Sequence, residues 1–130
     1  MVWLYKGKPL ETPSESLEGF VYKIWYSNGD YYIGKKSFWS VRRLRVAGRS
    51  KRRVLRKESD WRSYRGSSVE AKKRKDIEKL EVLHVCRSKI CTLYYEAYEQ
   101  MVHNVLCDSK SLNGNILLKL FKCPEKDKVK

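Results

Sequence analysis

Two tyrosines and two glutamates are the residues of this 130-residue chain whose types and positions are best suited to chemistry. Tyr22 and Tyr32 lie in segments rich in strand-forming residues, arginines follow from Arg42 onward, and Glu96 and Glu99 lie in a helical pattern. A phenol can help to activate water, a guanidinium group can hold a phosphate, and one carboxylate can anchor Mg²⁺. Such a set suffices to hydrolyse a phosphodiester. Strand tyrosines more often pack in a core and helical glutamates more often face solvent, so spacing alone leaves both interpretations open.

The turn between the two tyrosine segments decides whether the tyrosines can share a site. Asn28-Gly29 is a strong turn signal, and a two-residue loop there would place the side chains of Tyr22 and Tyr32 on opposite faces of the sheet. A three-residue loop over residues 27–29, with its glycine left-handed, places both on one face. It also sets Gly34 opposite Tyr22, which leaves open space beside that ring.

The other segments predict a single α+β domain. Residues 1–18 form an N-terminal arm whose first residues can pack on a sheet edge, and residues 19–121 form the domain. Residues 37–58 are predicted to be a basic connection that is helical in part from Val41. A period-two pattern over residues 77–86 predicts a third strand, with one face formed by Leu80, Val82, His84 and Cys86.

Two helices and a tail complete the predicted elements. Gly66-Ser67-Ser68 is typical of a cap before a charged helix at about 68–75. Residues 92–106 form the clearest helix, and its predicted apolar stripe consists of Tyr94, Ala97, Tyr98, Met101, Val102, Val105 and Leu106. Residues 122–130 are expected to be a flexible tail.

The positive charge of the chain is confined to one segment. The net charge is +14, and residues 35–75 hold 17 of the 29 Lys and Arg residues but three of the 15 Asp and Glu residues. Aromatic residues are interleaved with these cations, which favours nucleic-acid binding over a merely solvated face. We predict that the DNA contacts come from Lys35, Lys36, Arg43, Arg45, Arg49, Lys51, Arg52, Arg53, Arg56 and Lys57.

Cysteine spacing and hydropathy point to a protein of the cytosol. Cys86, Cys91, Cys107 and Cys123 form no Cys-x-x-Cys pair, which favours free, largely buried thiols over a zinc site or disulfides. No apolar run is long enough to span a membrane. We therefore expect no membrane association, and a monomer or a weak homodimer.

At these same residues the sequence resembles the GIY-YIG nuclease family, in particular its small phage-encoded, Seg-like homing-endonuclease branch. The two halves of the name motif stand here as Phe20-Val21-Tyr22 and Tyr32-Ile33-Gly34. Glu58-Ser-Asp-Trp61, Tyr64-Arg-Gly-Ser-Ser68 and Tyr95-Glu-Ala-Tyr-Glu-Gln100 also resemble that branch. The resemblance covers roughly residues 1–121, and the ordered series of motifs is more specific than either triplet alone.

The resemblance implies a three-stranded antiparallel sheet flanked by helices, and it implies roles for five residues. Tyr22 would be the general base or water-activating tyrosine, with Tyr32 beside it. Arg42 would contact the scissile phosphate, and Glu96 would bind the single divalent metal ion, Mg²⁺ or Mn²⁺. Asn115 would correspond to a late asparagine that braces the site.

Three departures from the family pattern leave alternatives open. The first triplet is Phe-Val-Tyr, although the tyrosine is kept. Arg43 is a rival to Arg42, and the histidine that many members carry about one turn later is replaced here by Val46 or Ala47. Glu99 is a rival to Glu96 as the metal ligand, and helical periodicity does not decide between them.

The expected function is that of a metal-dependent endonuclease or nickase acting on double-stranded DNA. The alternative from another class is a non-catalytic basic DNA-binding phage accessory protein with the same fold. A preference for branched DNA or RNA is a third interpretation. Because 130 residues leave room for one modest domain, we expect the basic segment itself to contact DNA.

Overall fold

A computed structural model of the protein describes residues 1–48, 50–51, 53–116 and 120–129. The main sheet contains strands β1 (Leu4–Tyr5), β2 (Lys8–Pro9), β3 (Gly19–Tyr26), β4 (Tyr31–Ser37) and β7 (Ile77–Cys86), in the order β2-β1-β7-β3-β4. A separate two-stranded sheet pairs β5 (Trp39–Leu44) with β6 (Arg53–Glu58). The helices are α1 (Val69–Lys73) and α2 (Lys89–Val102). The predicted α+β class is confirmed.

The main sheet is larger than the predicted three strands because the N-terminal arm joins it. β1 pairs in parallel with β7 and antiparallel with β2, whereas β3 pairs antiparallel with both β4 and β7. Trp3, just before β1, is buried, and its indole N–H donates to the Trp61 carbonyl at 2.8 Å. This contact helps to hold the arm in place, and β1 and β2 of the arm add two strands to the predicted three. The predicted count of three strands was therefore wrong.

The hairpin between β3 and β4 has the predicted three-residue loop. Tyr22 pairs with Gly34 and Ile24 with Tyr32, which places the two tyrosine side chains on one face. The Tyr26 N–H donates to the Asp30 carbonyl at 2.9 Å, and Gly29 has a φ of +87°. A left-handed residue at this position closes the bulged loop, because glycine adopts positive φ without a steric penalty.

The basic connection is a β-ribbon, and the prediction of a helix from Val41 was wrong. β5 and β6 pair antiparallel over six residues, from Trp39 opposite Glu58 to Leu44 opposite Arg53. Gly48, in the turn between them, has a φ of +79°. Arginine and leucine are good helix formers, but cross-strand pairing after this turn overrides their local preference.

A β-bulge in β7 divides the face that the period-two pattern predicts. Val21 pairs with His84 and Tyr22 with Val82, so one extra residue lies between them on β7. Leu80 and Val82 therefore pack in the main aromatic core, whereas the His84 side chain reaches Glu99 of α2 on the opposite side of the sheet. The prediction of one face was wrong because a bulge inverts the alternation beyond it.

α2 packs on the sheet through a mixed polar and apolar face, and of the predicted apolar stripe only Ala97 and Val105 are buried. The buried residues of α2 are Cys91, Thr92, Ala97 and Gln100. The stripe residues that are exposed are Tyr94, Tyr98, Met101, Val102 and Leu106. The polar groups on the inner face find partners on the sheet, such as the Ile33 carbonyl for Gln100 at 3.2 Å, which removes most of the cost of burying them.

The C-terminal residues return to β7. A short 3₁₀ turn, Glu125–Asp127, precedes Val129, whose N–H donates to the Val85 carbonyl at 2.9 Å. Residues 124–129 thus lie against the sheet, although the sequence predicts a flexible tail. All four cysteines are free; Cys86 and Cys91 are buried and Cys107 is exposed. Within the described residues, no helix is both long and apolar enough to cross a membrane.

Candidate active site

A cleft of about 660 Å³ opens at the free edge of β4, between α2 and the segments before α1 and after α2. Its walls combine aromatic, cationic, carboxylate and amide groups. The polar and aromatic residues that line it include Tyr32, Lys35, Tyr64, Ser67, Glu70, Glu96, Gln100, Asn113 and Asn115. The cleft therefore brings together Tyr32, Glu96 and Asn115 of the predicted site.

Two tyrosines, Tyr32 and Tyr64, line the cleft, and a third, Tyr22, packs against them from the core. The Tyr22 ring is 6.2 Å from the Tyr32 ring and 6.1 Å from the Tyr64 ring, centroid to centroid. Tyr22 lies behind the other two and is fully buried, and its hydroxyl has no hydrogen-bond partner among the described residues. Its space exists because residue 34 is glycine: a Cβ on Gly34 would lie 2.5 Å from the Tyr22 hydroxyl oxygen. A buried hydroxyl without a partner is costly, so it marks a site of interest.

Both tyrosines of the name motif are held as neutral phenols. Burial raises the pKa of Tyr22 well above its ordinary value, and the neighbouring Tyr64 adds to the shift. Burial also raises the pKa of Tyr32, while its hydrogen bond with Ser67, 2.9 Å between hydroxyl oxygens, acts in the opposite direction. At neutral pH neither phenol carries charge, and Tyr32 keeps its hydrogen bond with Ser67.

Glu96 faces the cleft and Glu99 does not. Burial raises the pKa of the Glu96 carboxyl, whereas the ammonium group and the backbone N–H of Lys35 lower it. The Glu99 carboxylate instead lies 2.7 Å from the His84 ring nitrogen, and both of these side chains are largely buried. A second carboxylate, Glu70, lines the cleft from α1 and was not identified from the sequence.

Asn113, and not Asn115, makes the bracing contacts. The Asn113 side-chain amide accepts from the Ile33 N–H at 3.0 Å and donates to the Ile33 carbonyl at 2.7 Å. Asn115 is exposed and lines the cleft. Asn113 is thus the asparagine that holds β4, and the role of Asn115 in the site stays a prediction. The sequence shows two asparagines, one on each side of Gly114, and does not indicate which of them contacts the sheet. The structure distinguishes them because the segment runs along β4 with Asn113 beside Ile33.

Arg42 and Arg43 lie outside the cleft. Both are exposed on β5, and the cation that lines the cleft is Lys35. Lys36, next along β4, lies 4.2 Å from the Tyr64 ring centroid and 2.8 Å from the Asp60 carboxylate. Arg42 does not line the cleft because it lies on β5, which belongs to the separate two-stranded sheet, and its contact with a scissile phosphate stays a prediction.

The other predicted DNA-contacting residues are spread along the ribbon. The exposed ones are Arg45, Lys51, Arg53, Arg56 and Lys57. Arg49 and Arg52 lie outside the described residues. The ribbon residues share one sign of charge and face solvent, as expected of a surface that contacts phosphates.

The cleft fits a divalent cation held by few protein ligands. Among residues 1–48, 50–51, 53–116 and 120–129, no three His, Cys, Asp or Glu side chains are grouped as a metal cage. Glu96 is nevertheless a carboxylate whose burial disfavours its charge, and a bound cation would offset that cost. Mg²⁺ commonly binds through one or two carboxylates and keeps several waters, so Glu96 with neutral oxygens nearby is a suitable donor set.

The site of this α+β domain combines a half-buried carboxylate, phenols and a cation at the edge of the sheet, groups that suit phosphodiester hydrolysis. A family model agrees with this chemistry: the model described as "Putative endonuclease segE, GIY-YIG domain" matches residues 3–116. The chain belongs to this GIY-YIG endonuclease family. Comparison with curated proteins and with solved structures gave no significant match.

Proposed function

We propose that this chain is an endonuclease that cuts or nicks double-stranded DNA with one divalent metal ion held by Glu96. The observation that carries the proposal is the cleft itself, in which a desolvated carboxylate, a lysine and the phenol cluster meet at the edge of β4. The family match supports nuclease activity in general terms.

Each polar residue of the cleft has a separate role in the proposed phosphodiester hydrolysis. A Mg²⁺ or Mn²⁺ ion at Glu96 would act as a Lewis acid on the phosphate and its leaving oxygen. Lys35 is the cleft cation placed to hold a phosphate oxygen, a role that the resemblance assigned to Arg42 or Arg43. Asn115 offers an amide to the same phosphate from the opposite wall.

Tyr22 provides the hydroxyl for the attacking water. Its oxygen is buried and has no partner among the described residues, so it can accept a hydrogen bond from a water once the Tyr64 ring, 6.1 Å away between centroids, moves aside. Because its pKa is raised, Tyr22 acts as a neutral phenol and not as a pre-formed phenolate. Tyr32 forms the wall beside it, and its orientation is held by Ser67. The water oxygen bonds to phosphorus and gives up one proton to solvent, the bond from phosphorus to the leaving oxygen breaks, and that oxygen takes up a proton from solvent in its place.

The ribbon and β4 supply the DNA affinity. If the protein neutralises about 6–10 phosphates, affinity should fall by about 10³–10⁵ between 50 and 200 mM salt. One cleft per chain is expected to nick one strand, and a double-strand break needs two copies or two events. A phage-encoded homing endonuclease working in the cytoplasm of a host cell is the biological setting that we propose.

A plasmid-nicking assay tests the proposal. Supercoiled plasmid with the protein and Mg²⁺ should give nicked product, and Glu96→Gln should reduce the rate by at least about 10². Glu99→Gln is the matched control, because Glu99 lies on the same helix but contacts His84 outside the cleft. Glu70→Gln tests the second cleft carboxylate. Equal rates for the parent and Glu96→Gln would remove the proposed metal site.

A non-catalytic DNA-binding protein remains a second candidate, favoured by one observation. Arg42 and Arg43 lie on the ribbon and away from the cleft, so the basic surface is formed independently of the site. Tight binding of duplex DNA without cleavage in Mg²⁺, Mn²⁺ or Ni²⁺ would select this candidate. The same panel, extended to flap, nicked and RNA substrates, tests a preference for branched DNA or RNA.

A further inference from the structure

The β5–β6 ribbon has two chemically different faces. Residues directly opposite each other in an antiparallel pair share a face, and so do residues two apart along a strand. From the register, one face carries Trp39, Val41, Arg43, Val54, Arg56 and Glu58. The other, which we call the leucine face, carries Ser40, Arg42, Leu44, Arg53, Leu55 and Lys57.

The face that carries Trp39 is attached to the body of the protein. The Arg56 guanidinium lies 4.4 Å from the Trp39 ring centroid and donates to the Glu15 carbonyl at 3.0 Å. The Trp39 indole N–H donates to the Leu17 carbonyl at 2.6 Å. These contacts fix the base of the ribbon and leave the leucine face pointing away from the N-terminal arm.

The leucine face has no partner within the described part of the chain. Arg42, Arg53 and Lys57 are exposed, and none forms a side-chain hydrogen bond or ion pair with a described residue. Leu44 is 36% and Leu55 39% exposed, and Val41 and Val54 on the other face are 50% and 58% exposed, so the two faces differ in their contacts with the arm and not in exposure. A two-stranded ribbon exposed on both faces is at best marginally stable in water, so a partner that covers the leucines would also stabilise the ribbon.

The dimensions and chemistry of this face match the major groove of B-form DNA. That groove is about 12 Å wide and admits a two-stranded ribbon. Side chains two apart on a strand are spaced by roughly 6.7 Å, close to two base-pair steps of about 3.4 Å. Guanidinium forks suit guanine edges, and aliphatic groups suit thymine methyls. Phosphate contacts alone would use the cations and leave the leucines without a role.

We infer that the leucine face of the ribbon lies in the major groove of duplex DNA and reads base edges there. Arg42 and Arg53 contact guanine edges, Leu44 and Leu55 pack on thymine methyls, and Lys57 contacts a flanking phosphate. The inference rests on the proposed function only in taking DNA as the substrate. It restricts that substrate to B-form duplexes, because the major groove of an RNA duplex is too deep and narrow for side chains to read.

Charge-neutral substitutions separate groove contacts from phosphate contacts. The probe is the duplex that the parent protein enriches from a random-sequence pool, bound without divalent metal so that no cleavage occurs. Leu44→Thr combined with Leu55→Thr should weaken binding about tenfold and leave the salt dependence unchanged. The matched control is Val41→Thr combined with Val54→Thr on the other face, where both valines are also exposed and binding should not change. β-Branched threonine keeps the strand propensity in both variants.

Two modified probes complete the test. Replacing guanine by 7-deazaguanine removes the N7 acceptor of the major groove and should weaken binding by the parent, and an RNA duplex of the same sequence should bind weakly. Four results would each overturn the inference. The two threonine pairs could weaken binding equally, or neither could weaken it. The pool could yield no enriched sequence, or the RNA duplex could bind as tightly as the DNA. Plasmid cleavage is measured separately. A loss of cleavage with the leucine effect intact would refute the proposed nuclease and not the groove contact.

Discussion

Adding a methyl group at Gly34 tests the geometry of the phenol cluster directly. The new Cβ would lie 2.5 Å from the Tyr22 hydroxyl oxygen, 2.7 Å from its Cζ and 3.1 Å from Cε1 of Tyr32. Ordinary contacts begin at 3.4 Å, so the Tyr22 ring must move by roughly 0.7–0.9 Å within a close-packed core. Overpacking of this kind costs about 1–3 kcal/mol. For a domain of this size, that lowers the unfolding temperature by roughly 3–12 °C.

Denaturant unfolding and plasmid nicking measure the two consequences of Gly34→Ala. Gly114→Ala is the control for stability, because a Cβ there meets nothing within 4 Å and needs no left-handed backbone; it should be neutral or gain about 0.4–1 kcal/mol. Combining Gly34→Ala with Tyr22→Phe removes the closest contact, so the cost of the alanine should become smaller in that background. Nicking should fall with Gly34→Ala alone, since the phenols are displaced from the cleft.

The reasoning fails if Gly34→Ala unfolds at the same temperature and the same denaturant concentration as the parent. That result would mean that the Tyr22 hydroxyl does not occupy the space above Gly34, and the proposed water-activating position would be lost. A loss of stability that is identical with and without the Tyr22 hydroxyl would show that the hydroxyl oxygen is not the atom that the new methyl group meets first.

Four further outcomes follow from the structure. The pKa of Glu96 is raised in the folded protein, so the folded state is favoured most below the ordinary pKa of a glutamate, and this advantage is lost as the pH rises through the folded pKa. Glu96→Gln should therefore raise the unfolding temperature of the metal-free protein at pH 7. It should give no gain at pH 3. Mg²⁺ should raise the unfolding temperature of the parent and not that of Glu96→Gln. Asn113→Ala should destabilise by about 1–3 kcal/mol in urea because the Ile33 N–H loses its partner while the Ile33 carbonyl keeps Gln100, whereas Asn115→Ala should change stability by less than about 0.5 kcal/mol. Tyr22→Phe should raise stability by up to about 1–3 kcal/mol while lowering the nicking rate, since it removes a buried hydroxyl that has no partner among the described residues.

Local chemistry made part of the fold predictable. The three-residue hairpin loop follows from the condition that both tyrosines lie on one face, and Gly29 supplies the left-handed residue that this loop requires. The strand Ile77–Cys86 was predicted within its observed bounds from strand formers and alternation. In each case the determining interactions involve residues close in sequence.

Long-range contacts decided the elements that the sequence did not predict. The ribbon depends on pairing between β5 and β6, across a turn that carries no strong Asn-Gly signal. The polar face of α2 is buried because partners on the sheet, His84 and the Ile33 carbonyl, are available to it. Periodicity identifies an amphipathic helix but not which of its faces meets satisfied polar groups.

The candidate site, like the fold, could be predicted in part from local sequence and in part only from long-range contacts. Tyr22, Tyr32 and Glu96 were identified from motif and spacing, and the structure places them in or directly behind one cleft. The sequence could not show that Glu96 lines the cleft and Glu99 does not, because this depends on the bulge in β7 that turns His84 toward Glu99. Periodicity had placed both glutamates off the apolar stripe and therefore carried no information on this choice.

The side-chain amide of Asn113 has a consequence for behaviour at high concentration. β4 is the last strand of the main sheet, and unpaired backbone groups on such a strand offer a template on which another chain can add. Asn113 occupies both backbone groups of Ile33, and the segment from Lys110 to Leu112 occupies those of Tyr31 at 2.9 and 2.8 Å. The Asn113 amide thus takes the place of a neighbouring strand at Ile33. We expect it to hinder the addition of a strand from a second molecule at the edge of the sheet that also carries the cleft.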